Sequence, residues 1–118
     1  MRRRGLPGDD RGMVTIEAAF AIASIIAVVV ISVVGVLAMA THIRCIDAAR
    51  EVARIAARGD PAQARDVGSQ VGPRGASVTL RTVGEMVEAR VRVSVPMLPM
   101  LDVGATAVAA LEPEGADP

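Results

Sequence analysis

The sequence predicts an α+β protein, with one long N-terminal helix followed by a small antiparallel β-hairpin or three-stranded sheet. Three observations point there. Residues 18–41 form a run of 24 without a charge. Residues 41–58 contain no Gly or Pro and place charges at helical spacing. From Val87 to Val95 the apolar period changes to two, as in a half-buried strand.

The uncharged run is the strongest signal. A helix rising ~1.5 Å per residue covers ~36 Å in 24 residues, enough to cross a hydrocarbon core of ~30 Å with some tilt. Gly5, Pro7 and Gly8 precede it, so residues 1–12 read as an unstructured leader. That dozen holds four arginines against two aspartates, and a basic flank before an apolar run stays in the cytoplasm. The expected placement is a single-pass protein of the cytoplasmic membrane, its N-terminus cytoplasmic and its C-terminal region outside.

The helix is expected to continue past the membrane surface, giving one element over 13–58. Arg44, Asp47, Arg50, Glu51, Arg54 and Arg58 fall within an arc of roughly 120° at 100° per residue. Cys45, Ala49, Val52, Ala53 and Ala56 face the other way, so half of the helix is an amphipathic stalk. Gly59-Asp60-Pro61 is a helix stop. Residues 59–118 then form a small extracytoplasmic head. Ala62–Val71 adds a helical turn or two, and Gly72-Pro73-Arg74-Gly75 is a turn.

Ser77–Val83 and Met86–Val95 read as a hairpin around Gly84-Glu85. A two-residue loop pairs Val83 with Met86. It therefore sets Val78 opposite Val91, Leu80 opposite Ala89, Thr82 opposite Val87 and Arg81 opposite Glu88. One apolar face and one polar face with an ion pair emerge together, and a slip of one residue loses both. Pro96 and Pro99 bracket an apolar loop, Val103–Leu111 is open to either strand or helix, and residues 112–118 are a frayed tail.

Composition excludes several functions. Thirteen arginines balance thirteen acids, and Phe20 is the sole aromatic residue, so neither charge nor stacking favours nucleic acid. With one histidine (His42), one cysteine (Cys45) and no lysine, no catalytic triad, metal cluster or phosphate loop assembles from one chain. The expectation is a protein that is not an enzyme and has no cofactor. Cys45 is a small packing residue or, having no internal partner, a thiol for an intermolecular disulfide. Ala19, Ala23, Ala27 and Gly35 lie on one stripe, the kind of small-residue surface along which membrane helices approach closely.

At the membrane entry stands Asp10-Arg11-Gly12-Met13-Val14-Thr15-Ile16-Glu17. Glu17 at the start of an apolar helix is costly without a partner, which suggests a function. The junction resembles the processing site of type IV prepilins. With the stretch Arg44–Arg54 and the closing Ala107–Pro113, the layout resembles the TadE-like proteins, pilin-like components of tight-adherence (Flp-type) pilus systems. That resemblance implies a minor pilin or assembly component. It implies cleavage between Gly12 and Met13 by a prepilin peptidase, with Glu17 neutralising the new amine of a neighbouring subunit. The implied partners are that peptidase, other pilin-like subunits, Tad/Flp assembly proteins and membrane lipid, and the implied destination includes a surface pilus. Two alternatives compete. One is a signal peptide cut after Ala40, since Ala38-Met39-Ala40 fits the A-x-A pattern. The other is an uncleaved single-pass adaptor.

Overall fold

The computed structural model describes residues 9–95 and 97–113. Most of the expected leader (1–8), Pro96 and the tail from 114 lie outside the described residues. The elements are α1 (Asp9–Ala57), α2 (Pro61–Val71), β1 (Ser77–Val83), β2 (Met86–Val95) and β3 (Leu98–Ala110). The strands form one antiparallel sheet in the order β1-β2-β3, an α+β arrangement. The chain divides into two compact units, Met1–Gly35 and Val36–Pro118.

In the first unit α1 starts at Asp9, four residues before the expected Met13. Asp10 suits the first turn of a helix, where the backbone dipole favours negative charge. Gly12 costs a helix only about 1 kcal/mol against Ala, too little to end one that continues into good helix formers. The apolar side chains from Met13 to Val33 are exposed, and α1 is long and apolar enough to cross a membrane. Its hydroxyls are satisfied within the helix. Thr15, Ser24 and Ser32 donate to the carbonyls of Arg11, Phe20 and Val28 at 2.9, 2.7 and 2.7 Å. These three hydroxyls are thereby paired, as a segment of this character requires.

In the second unit the C-terminal half of α1 lies on the inner face of the sheet. Cys45, Ala48, Ala49, Val52, Ala53, Ala56 and Ala57 recur at spacings of three and four and are all buried. Val87, Ala89, Val91, Val93 and Val95 are the buried residues of β2. Val52, Ala53 and Ala56 pack with Val87 and Ala89, while Cys45, Ala48 and Ala49 pack with Val91 and Val93. β2 therefore runs antiparallel to α1.

The end of α1 is explicit. Gly59 takes φ +96°, a left-handed conformation that favours glycine, and its N–H donates to Ala56 O at 3.0 Å. Asp60 then caps α2, its carboxylate accepting from Gln63 N at 2.9 Å, and Pro61 occupies the first turn. The chain returns to the same corner at its far end. Leu111 N donates to Glu85 O at 2.7 Å and Glu112 N to Ala57 O at 3.1 Å.

The β1–β2 register pairs Val83 with Met86, Leu80 with Ala89 and Val78 with Val91, as the loop length requires. Gly84 has φ +61° and Glu85 has no positive φ, the pattern of a type II′ turn. Arg81 and Glu88 are paired in register, but the expected ion pair does not form between them. The Glu88 carboxylate is instead met by Arg90 Nη2 at 3.5 Å, two residues along on the same face. β3 is a strand from Leu98 onward, so part of the expected 96–101 loop joins the sheet. It is an edge strand, and Pro99 falls in the stretch between Leu98 and Asp102 where the register with β2 is interrupted, so it breaks no ladder.

Candidate functional site

The outer face of the sheet is built in cross-strand ranks. The register places Ser77, Arg92 and Gly104 side by side, then Thr79, Arg90 and Thr106, then Arg81, Glu88 and Val108. The alternation that buries the valines of β2 therefore turns Glu88, Arg90 and Arg92 to the opposite face. Shallow recesses lie between these side chains. Gly104 keeps the face open at its β3 edge. A β-carbon there would sit 2.8 Å from Val91 O and 3.0 Å from Arg92 Cγ.

Charge on this face is unevenly satisfied. Glu88 is engaged by Arg90, and Asp102 accepts a hydrogen bond from Ser94 Oγ at 2.7 Å. Among the described residues, no carboxylate comes within 4.0 Å of Arg81 or Arg92. Two guanidiniums, flanked by the hydroxyls of Ser77, Thr79 and Thr106, are thus presented to solvent. Guanidinium favours planar, bidentate recognition of carboxylates and phosphates. The surface can bind an acidic group, and its open shape suits a macromolecular partner better than an enclosed small molecule.

Sequence reasoning did not single out this face beyond the Arg81–Glu88 pair. The signal was available in the alternation Glu88-x-Arg90-x-Arg92 once the hairpin register was set. The residues it did single out lie elsewhere. Gly12 and Met13 are inside α1 rather than in an extended leader, and Met13 is exposed. Glu17 is one turn further along the helix and also exposed. Ala19, Ala23 and Ala27 are exposed on α1, and a β-carbon on Gly35 would meet nothing within 4 Å. The fold brings none of these together with another candidate. Ala38-Met39-Ala40 lies within α1, which would have to unwind for a peptidase to read it as an extended strand.

Of the two readings of Cys45, its position fits the packing residue. Its side chain is enclosed between α1 and β2 and fully buried, so the intermolecular disulfide has no route to form in this fold. Burial pushes the thiol pKa up, which keeps it protonated. The Sγ points toward Val103 O at 3.9 Å, a weak contact.

No family model matches the chain, and no solved structure matches it. A similar protein is "Apoptosis inhibitor Rv3655c" of Mycobacterium tuberculosis (strain ATCC 25618 / H37Rv), 47% identical over 97 residues, covering 82% of this chain and 78% of the relative. This finding overturns the TadE-like assignment and the pilus-assembly function expected from it, including the pilus and minor-pilin descriptions. The physical reason is that the features behind that expectation are not specific. A basic leader, an acid at the helix entry and a small head suit many membrane-entering chains, and architecture alone does not determine activity. With this identity over this length, the chain belongs to the family of Apoptosis inhibitor Rv3655c.

Proposed function

We propose that the chain is a non-catalytic, membrane-anchored binding protein that inhibits apoptosis, the activity named for its mycobacterial relative. The 47% identity over 82% of the chain is the observation behind this reading. The geometry adds a means of action. The outer sheet face offers Arg81 and Arg92 to an acidic surface of a partner protein, and α1 supplies the anchor. Arg2, Arg3 and Arg4 precede the apolar segment, which favours a cytoplasmic N-terminus and a head on the opposite side.

The test is expression of the full chain in cultured cells given an apoptotic stimulus, with caspase activation as the readout. Reduced activation relative to empty vector is the expected result. Activation equal to the vector control, with the protein present at normal level in membranes, overturns the reading.

A further inference from the structure

The β2–β3 connection is the most exposed apolar feature of the second unit. Residues 93–101 contain no charge. Within that run Met97 is 61% exposed, Leu98 43%, Met100 100% and Leu101 46%. Four large apolar side chains gathered at one hairpin tip are unusual for a surface facing only water, and such patches mark contact sites.

The direction of β2 says where this tip lies. Val87 and Ala89 pack beside Val52, Ala53 and Ala56, and Val91 and Val93 beside Cys45, Ala48 and Ala49. Each step along β2 thus moves back along α1 toward the uncharged segment. Val95 lies about 7 Å beyond Val93 at ~3.3 Å per strand residue, which matches about four to five helical residues back from Cys45, level with Thr41. The tip continues in the same direction past the level of Thr41, toward that of Val36–Ala40 in the same compact unit. At the Thr41 level, Arg44 and Arg74 share a recess with Thr41, Val93 and Ser94. An apolar tip with a net positive collar above it, Arg44 and Arg74 outweighing the Asp102 bonded to Ser94, matches a lipid interface, with acyl chains below and phosphates above.

We propose that the β2–β3 tip is a second membrane-contact element, which inserts Met97, Leu98, Met100 and Leu101 into the lipid interface beside Thr41 while Arg44 and Arg74 meet headgroup phosphates. This rests on α1 being a membrane anchor. The occupant is the bilayer itself, because the uncharged helix segment that ends at Thr41 and the tip reach the same level. Methionine suits the site, being flexible enough to settle among lipid chains without a shaped pocket.

The sequence contains no tryptophan, so a single introduced one reports its own depth. The full chain is reconstituted in vesicles of phosphatidylcholine and phosphatidylglycerol brominated either near the headgroup or deep in the chains. Three variants are compared: Ile26→Trp in the helix, Met100→Trp at the tip and Glu85→Trp at the opposite end of the sheet. All three positions are exposed, so the fold is preserved. The expected result is strong quenching of Ile26→Trp by deep bromines. Met100→Trp should be quenched severalfold more than Glu85→Trp, most strongly by shallow bromines. If Met100→Trp is quenched no more than Glu85→Trp while Ile26→Trp is quenched, the tip faces water or protein and the inference is overturned with the anchor intact. If Ile26→Trp is also unquenched, the anchor reading fails and takes the inference with it.

Discussion

Gly68 of α2 meets Val52 of α1 so closely that a β-carbon on the glycine would lie 2.6 Å from Val52 Cγ2, with Val78 Cγ2 also at 3.0 Å. Val52 is fully buried and β-branched, so it cannot swing clear cheaply. Gly68→Ala is therefore expected to destabilise the head. Overpacking of this kind costs about 1–3 kcal/mol, while the better helix propensity of alanine returns at most ~1 kcal/mol. Thermal unfolding of the full chain, followed by circular dichroism, should show a lower midpoint for Gly68→Ala. Gly35→Ala, which meets nothing within 4 Å, should not lower it.

Burial of Cys45 leads to a reactivity prediction and a pH prediction. The thiol should resist alkylation in the folded protein and react readily in denaturant, as mass spectrometry can follow. The raised pKa means that the folded state holds the thiol proton more tightly than the unfolded state. Its stability contribution is whole below the unfolded thiol value of about 8.5 and declines as pH rises through the folded one. Urea midpoints measured across that range should fall for the parent. The fall should be smaller in Cys45→Ala, which lacks the titrating group.

The α1–α2 corner depends on Asp60. Its carboxylate accepts from Gln63 N at 2.9 Å, satisfying a helix N–H that has no intrahelical partner. Asp60→Ala should cost about 1 kcal/mol by urea unfolding, and Asp60→Asn much less because it still caps. Equal stability of all three proteins would show that water replaces the cap without loss.

Much of the fold was readable because each legible element had a local cause. The Gly84-Glu85 loop length and the period of two from Val87 to Val95 together leave one register for the hairpin. The three-and-four spacing of Cys45, Ala49, Val52 and Ala56 marks the face that the sheet covers. β3 was ambiguous because alanine favours a helix locally, and its backbone pairing with β2 decides the matter. The role of Gly68 was invisible because close approach is a tertiary property. Glu88 was assigned to Arg81 by register, yet Arg90 on the same strand is the nearer guanidinium. The Gly12–Glu17 junction was legible as a pattern but did not identify the function, since such residues suit many chains with an apolar N-terminal helix.

The last prediction separates the sheet face from the rest of the arginines. Arg81 and Arg92 are exposed on the outer face and have no carboxylate within 4.0 Å among the described residues. Arg81→Gln/Arg92→Gln removes both charges and keeps the side chains polar and long. Exposed substitutions of this sort change stability by within about 0.5 kcal/mol, so the fold and membrane level should match the parent. Binding to an acidic partner should weaken, since each hydrogen bond to a charged group contributes about 1.5–3 kcal/mol. Caspase activation in the cell assay should therefore rise toward the vector control. Arg50→Gln/Arg58→Gln, with Arg50 exposed on α1 and Arg58 exposed just past its end beside Glu112, removes the same charge from another surface and should retain inhibition. If the sheet-face variant inhibits as well as the parent, the partner does not dock there. If both pairs lose inhibition equally, net charge rather than the arrangement of Arg81 and Arg92 is what the partner reads.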